Sequence, residues 1–110
     1  MTKLRPNCPL AHAADAIGDR WSLLILRNLN LDGPQGFQEL SRALDTISPT
    51  TLSGRLKALQ ENGLVERQVV DAHPPRTSYA LTETGKAVRP VLKALFHFGD
   101  SIGPRKDKDT

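Results

Sequence analysis

The chain has one cysteine, few aromatic residues and no long apolar run. The single Cys8 excludes a disulfide within the chain and a Cys-x-x-Cys metal site. The longest apolar run, at 23–26, ends at Arg27, far short of the roughly 20 residues that a membrane helix needs. No apolar signal segment follows the charged N-terminus. We therefore expect a cytoplasmic protein with no membrane partner.

The usual residue patterns of catalysis are also missing. The histidines, His12, His73 and His97, lie in different segments, so metal binding has no local support. The chain contains no GxGxxG, Walker A or GxSxG motif. We therefore expect neither an enzyme nor a bound metal or cofactor.

What is present suits one folded domain. The 110 residues are 38% apolar and 25% charged, which is ordinary for such a domain. A net charge of +3 suits a nucleic-acid partner without requiring one. We expect a flexible N-terminal arm at 1–7, one domain at 8–99 and a disordered charged tail at 100–110.

Apolar spacing predicts four helices in the first part of the chain. A short amphipathic helix at 10–17 follows Pro9. Asp19 is a suitable cap for a helix at 20–31, which we expect to be buried because its apolar residues point in nearly every direction. A third helix contains Phe37, Leu40 and Leu44, and a fourth begins with Ser48 as N-cap and Pro49 as its first residue.

The fourth helix has a narrow apolar stripe and a clear end. The stripe consists of Leu52, Leu56 and Leu59. Gly63 suits the left-handed position after a helix, and Leu64 beyond it can contact Leu59.

After this helix the period changes to that of strands. We predict a strand at 64–71, a turn at 72–76, a strand at 77–81, and a last helix at 83–98 capped by Thr82. The fold class is therefore mainly α (α+β): a winged helix-turn-helix with a two-stranded wing and flanking N- and C-terminal helices for dimerisation.

The outward face of the fourth helix suits the major groove of double-stranded DNA. Residues 46–60 contain no acid, and the face opposite the stripe is small and polar. The alternative is a solvated helix face. For Arg55 two interpretations stay open, a phosphate contact or an ion pair with a neighbouring helix. The candidate DNA-binding residues are Ser48, Pro49, Thr50, Thr51, Ser53, Gly54, Arg55 and Lys57.

The wing offers a second DNA contact through His73, Arg76 and Thr77. Two prolines stiffen its tip, which lowers the entropy lost on binding, and residues 72–82 contain no acid. The alternative is that the prolines only close a hairpin and that Arg76 is solvated.

The last helix has more apolar surface than one core needs. Val88, Leu92 and Leu95 can share one face, while Ala87, Val91, Ala94 and Phe98 point elsewhere. We infer a homodimer, since a monomer would expose this patch. The alternative is that these residues cover the second helix of the same chain. The candidate dimerisation residues are Leu10, Ala14, Val91, Leu95 and Phe98.

Cys8 stands where the first helix begins. A helix N-terminus favours a thiolate, and Lys3 and Arg5 would add to this effect, so Cys8 is a candidate sensor of oxidants or electrophiles. The alternative is a small apolar residue packed beneath the helix.

A set of ordered motifs resembles the HxlR-like family of bacterial winged-helix regulators. They cover about residues 8–99 and include Cys8-Pro9, Ile17-Gly18-Asp19-Arg20-Trp21, Ile47-Ser48-Pro49, Leu52-Ser53-Gly54-Arg55-Leu56, Asn62-Gly63-Leu64-Val65-Glu66-Arg67 and Tyr79-Ala80-Leu81-Thr82-Glu83-Thr84-Gly85.

The resemblance implies a transcription regulator that binds operator DNA and dimerises through its first and last helices. Some members respond to oxidants or electrophiles through the cysteine that matches Cys8 and others use no thiol, so a small molecule or an electrophile is a candidate effector. Thr50 stands where many members carry lysine, Gly54 where a larger polar residue is common, and Asp19 where glycine is usual. The alternative class is a winged-helix module that binds protein or serves architecture without sequence-specific DNA binding.

Overall fold

A computed structural model describes residues 8–70 and 73–104. The predicted arm, Asp71 at the end of the first predicted strand, Ala72 of the predicted turn and the end of the tail lie outside these described residues. The elements are α1 (Pro9–Ile17), α2 (Arg20–Asp32), α3 (Phe37–Ala43), α4 (Pro49–Glu61), β1 (Val65–Val70), β2 (Arg76–Leu81), a 3-10 helix (Gly85–Val88) and α5 (Arg89–Ser101). The predicted winged helix-turn-helix is confirmed.

The helix ends follow the predicted capping chemistry. The Asp19 carboxylate accepts a hydrogen bond from the Ser22 backbone at 2.9 Å, and α2 begins there. Ser48 Oγ accepts from the Thr51 backbone at 3.1 Å, and α4 begins there. At the end of α4, Gly63 adopts φ 74°, and the Leu64 N–H donates to the Leu59 carbonyl at 3.0 Å.

The core lies between α2, α3, α4 and the base of the wing. Its most deeply buried apolar residues are Ile25, Leu26, Leu40, Leu52, Leu56 and Leu59. The predicted stripe of α4 is therefore confirmed. The expectation that α2 is buried on all sides is wrong, since Leu31 is 71% exposed and Leu23 and Leu24 are half-buried. The reason is that α2 meets α5 across an open groove rather than a closed layer.

The wing is an antiparallel pair whose register runs from Val65 opposite Leu81 to Val70 opposite Arg76. Its base is fixed by a contact that the sequence did not reveal. The Gln35 N–H donates to the Tyr79 carbonyl at 3.0 Å, and the Tyr79 N–H donates back to Gln35 at 2.8 Å. The loop between α2 and α3 thus adds a single bridge to β2.

The prediction of one helix at 83–98 is wrong at both ends. Thr82 Oγ1 accepts from the Gly85 N–H, as a cap does, but only a 3-10 turn follows. Pro90 has no N–H to continue an α-helix through this point, so α5 begins at Arg89. The helix extends through Ser101, into the predicted tail, because Ser101 Oγ donates to the Phe98 carbonyl and Gly103 at φ 88° follows its end.

No helix within the described residues is long and apolar enough to cross a membrane.

Candidate nucleic-acid interface

The outward face of α4 presents the predicted residues to solvent. Thr51 and Arg55 are half-buried. Within residues 8–70 and 73–104 the structure shows no side-chain hydrogen bond for Thr50, Ser53 or Lys57. The exposed members of the face are Ser48, Pro49, Thr50, Ser53, Gly54 and Lys57.

Two of the predicted contact residues are engaged with each other. Ser48 Oγ donates to Thr51 Oγ1 at 2.9 Å while it accepts from the Thr51 backbone. Ser48 is therefore committed to starting the helix. Because Thr51 Oγ1 accepts this bond, its own hydroxyl hydrogen remains able to donate to a ligand.

Of the two interpretations left open for Arg55, the structure shows the ion pair with a carboxylate of a neighbouring segment. Its Nη1 lies 3.6 Å from Asp19 Oδ1, while Asp19 Oδ2 caps α2. Asp19 thus joins α4 to the junction of α1 and α2, a contact that the sequence showed only as a cap. Burial alone would raise the pKa of Asp19, but hydrogen bonds from Ser22 and the charge of Arg55 outweigh it, and the pKa is lowered.

Gly54 lies in the middle of α4 with open space above it. A Cβ built at this position would meet no heavy atom within 4 Å. Glycine inside a helix costs about 1 kcal/mol relative to alanine, so the packing of the described residues gives no reason for it. The result is a notch in the exposed face, between Ser53 and Arg55.

The wing carries its candidate residues beyond the bridge to Gln35. His73 and Arg76 are exposed, and Thr77 is half-buried. Arg76 is the first residue of β2, paired with Val70. The wing therefore adds exposed positive charge at Arg76 without an adjacent acid in residues 73–82.

The outer surfaces of α1 and α5 are apolar but unburied. Neither helix contains a buried residue. Leu10 on α1 is 78% exposed, Phe98 on α5 is 61% exposed, and Ala14, Val91 and Leu95 are also exposed. On α5 the sequence reasoning missed Ile102, which continues the spacing of Val91, Leu95 and Phe98 and forms one stripe with them, called here the α5 stripe.

Cys8 is the N-cap residue of α1 and is half-buried. Its carbonyl accepts from the His12 N–H at 3.0 Å, while its side chain makes no capping bond. The thiol is therefore neither fully enclosed nor fully exposed. In the part of the chain that the structure describes, no cluster of histidine, cysteine and carboxylate side chains is suited to a metal ion.

Comparison with known proteins identifies relatives along nearly the whole chain. The HxlR-like helix-turn-helix family matches residues 16–107. The HTH-type transcriptional regulator YodB of Bacillus subtilis is 38% identical over 96 residues, which are 86% of this chain and 85% of the relative. An uncharacterized HTH-type transcriptional regulator of Methanothermobacter thermautotrophicus is 37% identical over 100 residues, 91% of this chain and 76% of the relative.

Solved structures show the same fold. The redox regulator HypR in its oxidized form has a TM-score of 0.79 and 29% identity, with 94% of this chain and 100% of that chain covered. The reduced form of YodB from B. subtilis has a TM-score of 0.77 and 37% identity, with 91% and 98% covered. These proteins are transcriptional regulators rather than enzymes. The chain therefore belongs to the HxlR-like helix-turn-helix family and is a DNA-binding transcriptional regulator.

Proposed function

We propose that this regulator binds a specific operator as a homodimer, with α4 in the major groove and the wing against the neighbouring backbone. The observation that carries the proposal is the outward face of α4, which is exposed, small and polar, with no acid in residues 46–60. Such a face approaches base edges closely and does not repel phosphates. Lys57, His73, Arg76 and Thr77 would contact the backbone, while Thr50, Thr51 and Ser53 would contact bases.

The backbone contact is tested with Lys57→Ala. Because each phosphate contact releases counterions, this variant should bind all sequences more weakly and flatten the log–log salt slope by about 1. Fluorescence anisotropy at several salt concentrations measures both quantities. Lys86→Ala, which removes a charge outside α4 and the wing, is the matched control. An unchanged salt slope in Lys57→Ala would contradict the proposed orientation of α4.

Base recognition is tested with Thr50→Val, which keeps the shape of an exposed side chain and removes its hydroxyl. We expect a loss of about 1–3 kcal/mol on the operator and little change on random DNA. Selection from a random DNA library supplies the operator for this measurement. If the wild-type protein enriches no sequence, the architectural alternative replaces this proposal.

A substitution at Gly54 tests whether glycine is needed there for the fold or for DNA binding. Gly54→Ala should stabilise the fold by about 0.5–1 kcal/mol, because a Cβ there meets no neighbour. If a base edge or phosphate enters the notch, the same variant weakens operator binding although it is more stable. Thermal unfolding and operator titration on one preparation give both values. Gain of stability with unchanged operator affinity would remove Gly54 from the interface.

The homodimer is supported by the exposed apolar surfaces of α1 and α5. Leu10 and Ala14 on α1 and the α5 stripe would be covered by a second copy. The alternative, that the residues of this stripe cover α2 of the same chain, is not favoured, because Phe98 and Ile102 stay largely exposed. Two linked α4 helices would read two half-sites, which multiplies the affinity of one.

A second candidate function is thiol sensing through Cys8. It is favoured by the similarity to HypR, a redox regulator, and to YodB, which has been solved in reduced and diamide-treated forms. Half-burial at the start of α1 leaves the thiol within reach of a small reagent and close to the proposed dimer surface.

Alkylation with iodoacetamide, followed by operator titration, tests this role. We expect modified protein to lose or gain operator affinity and Cys8→Ser to be insensitive to the reagent. Equal operator affinity before and after complete alkylation, verified by mass spectrometry, would leave Cys8 as a packing residue.

A further inference from the structure

A groove of about 680 Å³ separates α2 from α5. This volume is in the range of small-molecule sites, about 300–1,000 Å³. Its apolar walls come from both helices and consist of Leu23, Leu24, Leu31, Leu92, Leu95 and Phe96. Called here the α2/α5 groove, it lies away from the exposed face of α4 and from the wing, so the proposed DNA contacts do not use it.

Among the residues that the structure describes, three cations and no carboxylate line the same groove. They are Arg27 of α2 and Arg89 and Lys93 of α5. All three side chains are exposed to solvent, and a cleft lined by charges of one sign attracts ligands of the opposite charge. The chemistry of the lining therefore specifies both parts of a ligand, an apolar body and a negative group.

Neutral amides hold the two guanidinium groups in place. Arg89 Nε donates to Asn30 Oδ1 at 2.8 Å, a bond that crosses from α5 to α2. Arg27 donates through Nε and Nη2 to Asn28 Oδ1, at 3.1 and 2.9 Å. These bonds orient the guanidinium groups, and each group keeps further N–H donors for a ligand. The Glu83 carboxylate, which does not line the groove, interacts with the charge of Arg89 from outside it.

A second copy of the chain is a poorer occupant. Along α5, at 100° per residue, the centre of the α5 stripe lies about 110° from the groove side marked by Leu92 and Phe96. Only Leu95 belongs to both. An apolar helix laid into the groove would desolvate three cations without supplying counter-charges, which is costly.

We propose that the α2/α5 groove binds an amphipathic organic carboxylate, whose acid group contacts Arg89, Lys93 and Arg27 and whose apolar body lies between Leu31 and Phe96. Because α2 also packs on α4, a ligand that changes the separation of α2 and α5 would shift the position of α4, the proposed recognition helix. This regulatory consequence rests on the proposed function, whereas the binding site itself does not.

Calorimetry with 2-naphthoate tests the site on the wild-type protein without DNA. We expect saturable binding with a Kd of about 1 mM or tighter. The neutral analogue 2-naphthylmethanol should bind about tenfold more weakly, because it keeps the ring and lacks the charge. Equal affinity for the two compounds overturns the proposal. No saturable binding of 2-naphthoate also overturns it, and is the result expected if a second copy of the chain closes the groove.

Variants locate the binding. Arg89→Gln combined with Lys93→Gln should weaken 2-naphthoate about tenfold or more, and Phe96→Ala should weaken both compounds. Arg42→Gln, an exposed charge change on α3 outside the groove, should bind as the wild type does. Circular dichroism verifies that each variant is folded. Wild-type affinity in the double variant overturns the assignment to this groove.

Operator titration with and without 2-naphthoate tests the regulatory half. A shift in operator affinity in either direction supports it, and an unchanged affinity on a bound, saturated protein overturns it. Failure of the proposed function would look different, since the protein would then show no operator binding with or without the ligand.

Discussion

The contact between Asp19 and Arg55 makes a prediction that links stability to DNA affinity. Asp19 uses one carboxylate oxygen to cap α2 and the other to pair with Arg55 of α4. Arg55 lies on the same helix as Lys57, so with α4 in the major groove we expect the DNA backbone to come within its reach and Asp19 to compete with phosphate for it. Asp19→Asn removes the charge and keeps the cap, because asparagine caps helices as well as aspartate does. Asp19→Ala removes both.

The expected sizes follow from the exposure of the two side chains. The arginine and aspartate side chains are 41% and 40% exposed and their charged atoms are 3.6 Å apart, so solvent screens the pair. It should contribute about 0.2–1 kcal/mol, which is the measured range for exposed pairs. Loss of the cap costs a further ~1 kcal/mol. Asp19→Ala should therefore lower the melting temperature by several degrees more than Asp19→Asn, at about 4–8 °C per kcal/mol.

The effect on DNA binding has the opposite sign. With Arg55 released, Asp19→Asn should bind DNA about two- to fivefold more tightly, the equivalent of ~0.5–1 kcal/mol. The salt slope should steepen by up to about 1 if Arg55 gains a phosphate. The assay is a double-mutant cycle with Arg55→Gln, measured by anisotropy and by thermal unfolding on the same four proteins.

The double-mutant cycle shows whether Asp19→Asn raises DNA affinity by releasing Arg55 or only by removing a negative charge from the protein. If Asp19→Asn acts through Arg55, it should change DNA affinity little in the Arg55→Gln background. The same gain in both backgrounds would refute the competition between Asp19 and phosphate. Equal melting temperatures for Asp19→Asn and Asp19→Ala would refute the division into cap and ion pair.

Three further predictions concern acid, packing and assembly. The pKa of Asp19 in the folded protein lies below its ordinary value of 3.8, so the ionised carboxylate stabilises the fold above pH 3.8, and this stabilisation is lost as the pH falls through the folded pKa. The difference in unfolding free energy between wild type and Asp19→Asn, measured by urea titration, should therefore shrink at acid pH. A difference that does not change with pH would contradict this prediction. Gly85→Ala should cost about 2 kcal/mol or more, because the new Cβ would clash with the Leu64 carbonyl. In the same unfolding assay Gly99→Ala, inside α5 with open space around it, should stabilise the fold by about 0.5–1 kcal/mol, as expected for Gly54→Ala. Val91→Glu and Phe98→Glu should sediment as monomers with weakened operator binding, while Lys93→Glu should stay a dimer, and a wild-type monomer at micromolar concentration would exclude this assembly.

Local chemistry explains why most of α4 could be predicted from the sequence. Ser48, Pro49 and Gly63 act through bonds to residues three or four positions away, so their role is visible in the chain itself. The buried stripe of Leu52, Leu56 and Leu59 follows from helical spacing for the same reason. Such features need no knowledge of what packs against them.

Contacts between distant segments could not be predicted in this way. The bridge of Gln35 to Tyr79 and the bond of Arg89 to Asn30 join residues far apart in the sequence. The first is made by backbone groups and the second by side chains, and no local sequence pattern identifies the partner in either. The late start of α5 is different, since Pro90 lay inside the predicted helix and its missing N–H was a readable signal. Thr82 alone did not distinguish the two structures, because a threonine cap and a threonine turn begin with the same hydrogen bond.

Three features that packing within the described chain does not explain lie on surfaces proposed for function. Gly54 weakens a helix whose surroundings would accept alanine, and the α5 stripe exposes apolar area that the described residues of one chain leave uncovered. The α2/α5 groove gathers three cations without an acid. Each feature departs from what stability alone favours: Gly54 lacks side-chain volume, the α5 stripe has excess exposed apolar surface, and the groove has excess positive charge. A nucleic-acid edge, a second copy and an organic anion supply the respective complements, so three distinct ligands account for the departures better than one.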